Sequence, residues 1–182
     1  MKKGLILLFS LIVLVSTGFS RDEFVITKVS QGMLQPPAVG GNRGHGGGND
    51  QWLAVEADFK ANVDLTEELT FKYLIAINGK CVTGESTYVS IEKGRDLHSV
   101  MFLSPRALRR LAYGKRFSPN MVENITVQIV SKGEVVAQRS LREVGQWWAK
   151  LEPVKGEVLK KSETPFAWAD WDYYEELKPE TH

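Results

Sequence analysis

A single cysteine, Cys81, in a chain of 182 residues excludes an internal disulfide as a source of stability. Its place deep in the chain also excludes acylation of a cysteine at a processed N-terminus, and beside Val82 it reads as a small buried hydrophobe. Histidine is nearly as scarce. His45 lies in a glycine-rich stretch, His98 inside an alternating strand pattern and His182 at the end, so no HExxH or paired metal-ligand spacing exists. No G-x-S-x-G elbow is present either. The carboxylate pairs Glu56 with Asp58 and Asp170 with Asp172 fit a solvated strand face and a polar tail better than an acid and base pair. No catalytic residue, metal or cofactor is therefore expected, and the chain reads as non-enzymatic. Charge of one sign is also missing. Lys and Arg number 23 against 22 Asp and Glu, and a net charge of +1 provides no electrostatic basis for binding nucleic acid.

Long hydrophobic runs are limited to one. Lys2 and Lys3 precede an apolar core from Leu5 to Val15, followed by the small residues Gly18 and Ser20. This is the pattern of a signal peptide over residues 1–20, with cleavage near Arg21 and export to the periplasm, outer membrane or cell surface. The apolar core is shorter than the roughly twenty residues that span a bilayer, which disfavours the rival reading of an uncleaved anchor. Downstream no run of that length recurs, so no membrane span is expected in the mature chain.

What remains is rich in period-two alternation. Phe24 to Val29 reads as a first strand, followed by a stretch from Met33 to Asp50 with six glycines between Val39 and Asn49. No Lys-Ser or Lys-Thr pair follows these glycines, so they read as a flexible loop that is open to proteases, not as a phosphate cradle. In "QWLAVEADFK" Leu53, Val55, Ala57 and Phe59 alternate with Glu56, Asp58 and Lys60. "LTFKYLIAINGKCV" repeats the pattern and then reaches Asn78-Gly79, a pair suited to the positive φ values of a type I′ hairpin turn. The partner strand runs from Lys80 toward Ile91 with a bend or bulge at Gly84, and a second turn is expected at Lys93-Gly94 before the strand "DLHSVMFL". "NITVQIV", Lys132-Gly133 and "EVVAQRSL" make a final hairpin.

One helix interrupts the strands. Ser104 as N-cap, Pro105 at the first helical position and Gly114 at the stop bracket "SPRALRRLAYGK". Ala107, Leu108 and Leu111 share its inner face, while Arg106, Arg109 and Arg110, with Lys115 and Arg116, form a basic patch suited to an acidic partner. About seven strands, mostly joined by hairpins, point to an all-β fold: an immunoglobulin-like antiparallel β-sandwich over residues 21–160, with a barrel as the alternative.

The blocks "LTFKYLIAINGK", "IEKGRDLHSVMFLSPRALRRL", "VENITVQIV", "GQWW" and "ETPFAWADWDYYEELKP" occur in an order that resembles the verrucomicrobial pilus-like protein family. The resemblance runs from about Trp52 onward and implies an immunoglobulin-like fold similar to archaeal type IV pilus proteins. It brings no catalytic or ligand residue. The glycine-rich loop departs from the family pattern, and "TGFSRDEF" follows the apolar core instead of preceding it, unlike a pilin cleavage site. The expected role is an exported pilus-like or surface-assembly protein acting through protein–protein contacts. Its expected partners are envelope or pilus-locus proteins, with a homo-oligomer among the arrangements. A carbohydrate- or peptide-binding module is the alternative, in which Trp147, Trp148, Trp168 and Trp171 offer stacking faces.

The C-terminal tail, 161–182, is aromatic and acidic at once. Thr164-Pro165 sets it off, and Trp168, Trp171, Tyr174 and Leu177 follow at steps of three among Asp170, Asp172, Glu175 and Glu176. Phe166, Trp168, Trp171 and Tyr174 are the expected interaction residues of this segment. Its expected dock is the basic patch of Arg106, Arg109, Arg110, Lys115 and Arg116, in the same chain in preference to a neighbour.

Overall fold

A computed structural model describes residues 23–37, 51–142, 145–174 and 177–179. The expected signal peptide and residues 38–50 of the glycine-rich loop lie outside them. Eight strands, β1 (Phe24–Leu34), β2 (Trp52–Ile77), β3 (Lys80–Leu103), β4 (Val122–Ser131), β5 (Glu134–Ser140), β6 (Glu152–Lys155), β7 (Val158–Lys160) and β8 (Lys178–Pro179), form an all-β sandwich.

The sandwich is built on one long hairpin. β2 and β3 pair from Leu53↔Leu103 to Ile77↔Lys80 around Asn78-Gly79, whose φ values of 49° and 74° suit the turn. The register slips between Phe59 and Leu65, and there the hairpin folds back over itself. Its two halves then face each other: Phe59 and Phe71 have ring centroids 4.8 Å apart, and the Tyr73 hydroxyl donates to Ser99 Oγ at 2.8 Å across the core. The Tyr88 hydroxyl meets the same Ser99 oxygen at 3.0 Å. β1 and β7 flank the first half of β2 and the second half of β3, while β5, β4 and β6 continue the opposite leaf. β6 is the parallel exception.

The inward positions are those that alternation marks out. Leu53, Val55 and Phe59 from one half and Leu69, Phe71, Tyr73, Ile75 and Ile77 from the other are fully buried. Cys81 is buried and unpaired, and burial pushes its thiol pKa up.

Several local expectations are revised by long-range pairing. Trp52–Lys60 and Leu69–Ile77 belong to one strand, because Ala61, Leu65, Thr66 and Glu68 keep partners in β3 through the fold-back. No turn forms at Lys93-Gly94. β3 runs through it, and the missing side chain at Gly94 makes room for Leu97, whose Cδ2 would lie 2.9 Å from a Cβ there. Gly84 marks no bulge, since the Tyr73↔Gly84 register is unbroken. A Cβ at Gly84 would lie 2.5 Å from Val158 Cβ, so glycine lets β7 cross over the hairpin.

The helix, α1 (Pro105–Leu111), has the expected caps. Ser104 Oγ accepts from the Ala107 N–H at 3.2 Å, and Gly114 at φ 79° donates its N–H to the Arg109 carbonyl at 2.9 Å. Ala107, Leu108 and Leu111 are buried against one end of the sandwich, and the Asn78 amide donates to the Leu111 carbonyl at 2.9 Å.

Candidate functional site

The site grows from the outer face of the hairpin's first half. Positions facing the core alternate with Ala54, Glu56 and Asp58 on β2 and His98, Val100 and Phe102 on β3, so one outer patch is apolar at one end and acidic at the other. Asp58 stands directly opposite His98 in the register. His98 Nδ1 lies 3.1 Å from Asp58 Oδ1 and 3.4 Å from Glu56 Oε1. All three side chains are mostly covered. Lys28 Nζ is 3.9 Å from Asp58 Oδ2 and is itself largely exposed.

The C-terminal tail covers this patch. It leaves β7 through a short 3-10 turn at Lys161–Glu163, where the Glu163 carboxylate accepts from the Lys160 N–H at 2.7 Å. Thr164 then makes a side-chain turn: its hydroxyl donates to the Lys161 carbonyl at 2.8 Å and accepts from the Phe166 N–H at 3.2 Å. That turn aims Phe166 into the sheet. Its ring stacks on Phe102 at 5.1 Å and meets Trp52 edge-on at 5.8 Å, which buries Ala54 and Val100 beneath it. Trp171 begins α2 (Trp171–Tyr174), which carries two tyrosines over the acidic end. Tyr173 lies flat on His98 at 3.9 Å, and the Tyr174 hydroxyl donates to Glu56 Oε1 at 3.4 Å.

Leu177 re-enters the main core, and β8 pairs with Tyr88 and Val89 on the other half of β3. The tail is thus a strap across both halves of one strand. Burial and the Glu56 carboxylate push the Tyr173 phenol up to about 12 and the Tyr174 phenol further, so both remain hydrogen-bond donors at neutral pH. Burial lowers the pKa of Lys161, whose ammonium donates to the Ala167 carbonyl at 3.1 Å and sits 5.2 Å from the Tyr174 ring centre. Beneath the strap lies a cavity of about 440 Å³, lined by Tyr88, His98, Val100, Trp168, Tyr174 and Leu177 among others.

The expected dock is therefore corrected. The tail packs in its own chain, but on Trp52, Val100, His98 and Phe102 and not on the basic patch. Aromatic rings need apolar partners, and the outer face of the hairpin offers Trp52, Val100 and Phe102. Arg106, Arg109, Lys115 and Arg116 are exposed, and Arg110 is ion-paired with Glu157. Arg109, Lys115 and Arg116 line a hollow of about 280 Å³ with Phe117 and Met33. Trp168, at the rim of the cavity under the strap, is 82% exposed. Trp147 and Trp148 sit in a 3-10 turn instead of an extended segment; their rings pack edge-on, and the Trp147 indole donates to Thr126 Oγ1 at 2.8 Å.

The grouping of Glu56, Asp58 and His98 was not foreseen from the sequence. Acids at i and i+2 put both on one strand face, but the register extrapolated back from Asn78-Gly79 sets Ser99 opposite Asp58, and only the slip between Phe59 and Leu65 brings His98 there.

Comparison with known proteins finds a family and similar solved structures. A family model of pilus-like proteins matches residues 17–181. A crystal structure of a protein from Akkermansia muciniphila superposes with a TM-score of 0.70 at 24% identity, covering 88% of this chain and 94% of that one, which shows a shared fold. The search of curated proteins finds no match.

Proposed function

Because the chain belongs to the verrucomicrobial pilus-like protein family, we propose that it is an exported, non-enzymatic surface-assembly protein that works through contacts with other proteins. The observation that carries this reading is the exposed ridge of the strapped tail. Trp168, 82% exposed, stands between the docked Phe166 and the exposed Asp170 and Asp172 on a segment that Phe166 and Tyr173 fix to the sheet. A large aromatic held in place on a rigid support is the usual anchor of a protein interface, and flanking acids select a basic partner surface. The hollow beside α1, with Arg109, Lys115 and Arg116, is such a surface on the same molecule. One copy's ridge against the next copy's hollow would be a head-to-tail contact, the kind that propagates an assembly instead of closing a dimer. Envelope or pilus-locus partners with a comparable basic face would use the same ridge.

Capture from the native envelope with immobilised mature protein tests the reading. Trp168→Ala is expected to reduce recovery of the bound partner, or of the protein itself, about tenfold or more, with the melting temperature unchanged. Equal capture by wild type, Trp168→Ala and the Arg109→Glu, Arg116→Glu double variant would overturn it. A second reading, a carbohydrate- or peptide-binding module, is supported by the partly aromatic cavity under the strap. A glycan panel that stabilises the protein in a sugar-dependent way would favour that reading.

A further inference from the structure

We propose that Glu56, Asp58 and His98 form a binding site for a divalent transition metal ion of the zinc class, roofed by the C-terminal strap. The inference does not depend on the assembly role. It starts from the ligand set, one imidazole nitrogen and two carboxylate oxygens, which suits Zn²⁺ and its neighbours. Calcium and magnesium favour all-oxygen shells with more ligands than this group offers.

Spacing supports the same conclusion. Ligands about 2.0–2.2 Å from a zinc ion at tetrahedral angles lie roughly 3.3–3.6 Å from one another. The His98 Nδ1 distances to Asp58 and Glu56 are 3.1 Å and 3.4 Å, and the three ligating atoms all lie within 4.8 Å of one another. The ligands also stand on paired strands instead of a loop, with Asp58 facing His98 in the register, so the backbone holds them at this separation.

Charge and surroundings agree with the geometry. The two carboxylates are mostly covered, Asp96 adds a further negative charge near Tyr173, and the lysine 3.9 Å from Asp58 is the solvated Lys28. A divalent ion would neutralise that concentration of charge. The outer contacts are those that orient metal ligands: Tyr173 fixes the imidazole plane by stacking on it, and the Tyr174 hydroxyl holds Glu56. Because both tyrosines belong to the strap, an ion bound here would draw hairpin and tail together. The rival arrangement is an Nδ1–H of His98 that donates to the carboxylates and leaves no lone pair at Nδ1.

The mature full chain, stripped with chelator, is titrated with Zn²⁺ alone by calorimetry and with Co²⁺ by visible absorption. One equivalent of Zn²⁺ is expected to bind and raise the melting temperature by several degrees at saturating excess. Co²⁺ is expected to give the intense visible bands of a low-coordinate site. His98→Gln and Asp58→Asn should each weaken binding about tenfold or more, whereas His45→Gln and His182→Gln should not. Should the first two variants fail to fold, the ring nitrogens of His98 in the wild type decide by NMR: Zn²⁺ must shift Nδ1 selectively. Absence of Zn²⁺-dependent stabilisation, binding that survives His98→Gln, or an unshifted Nδ1 overturns the proposal and leaves a hydrogen-bonded clamp of His98 on the two carboxylates.

Discussion

Phe71→Ala is expected to destabilise the protein by about 3–5 kcal/mol, the cost of truncating a phenylalanine in a rigid core. For a chain of this size that is a fall of roughly 6–20 °C in melting temperature. The ring is fully buried where the two halves of the long hairpin meet, 4.8 Å from Phe59 and edge-on to Tyr88 at 5.5 Å. Lys72→Ala, one residue along on the exposed face, should change stability by less than about 0.5 kcal/mol. Phe59 and Phe71 are twelve residues apart on one strand and touch because that strand folds back. A double-mutant cycle between them should therefore show a coupling of about 0.5 kcal/mol or more. A loss below about 1 kcal/mol for Phe71→Ala, or additive effects of the pair, would show that the halves do not face each other.

Removal of residues 163–182 is expected to cost about 2–3 kcal/mol, and Phe166→Ala nearly the same amount. Truncating a buried phenylalanine in a rigid frame would cost more, about 3–5 kcal/mol. The strap is a terminal segment and can come away while the sandwich stays folded, so no single substitution in it can cost more than its whole docking free energy. Phe166 supplies most of that energy, being stacked on Phe102 and set against Trp52, while Leu177 and the two-residue β8 hold the far end. Thermal or denaturant unfolding of the two variants beside the wild type measures this. Equal losses are the expected result. Unchanged melting of the truncated chain would show that the strap contributes nothing in its own chain, and a much larger loss for Phe166→Ala would show that the strap cannot undock.

The sequence by itself determined whatever depends on a few neighbouring residues. Alternation at Leu53–Phe59 and Leu69–Ile77 marked the core faces because side chains on a strand point to opposite sides in turn. Asn78-Gly79 and Lys132-Gly133 marked the hairpins because their positive φ values admit few residue types. Ser104, Pro105 and Gly114 bounded the helix because its unpaired N–H and carbonyl groups are met locally. The family was legible for the same reason, since its blocks are read in order along the chain.

Tertiary structure decided what depends on residues distant in sequence. Lys93-Gly94 has the composition of a turn, yet β2 pairs along both sides of it and carries the strand through. Gly84 has the look of a bulge, yet its role is set by Val158, which arrives from the far side of α1, β4 and β5. The tail's charge pointed to the basic patch, but its rings docked where Phe102, Val100 and Trp52 lay uncovered on the outer face. Long-range attraction between exposed charges is screened by salt within about 10 Å, whereas burying an aromatic ring contributes about 1.5–3 kcal/mol wherever an apolar surface is open. The meeting of Glu56, Asp58 and His98 has the same origin: forty residues separate Asp58 from its partner, and only the register of the folded hairpin sets them 3.1 Å apart.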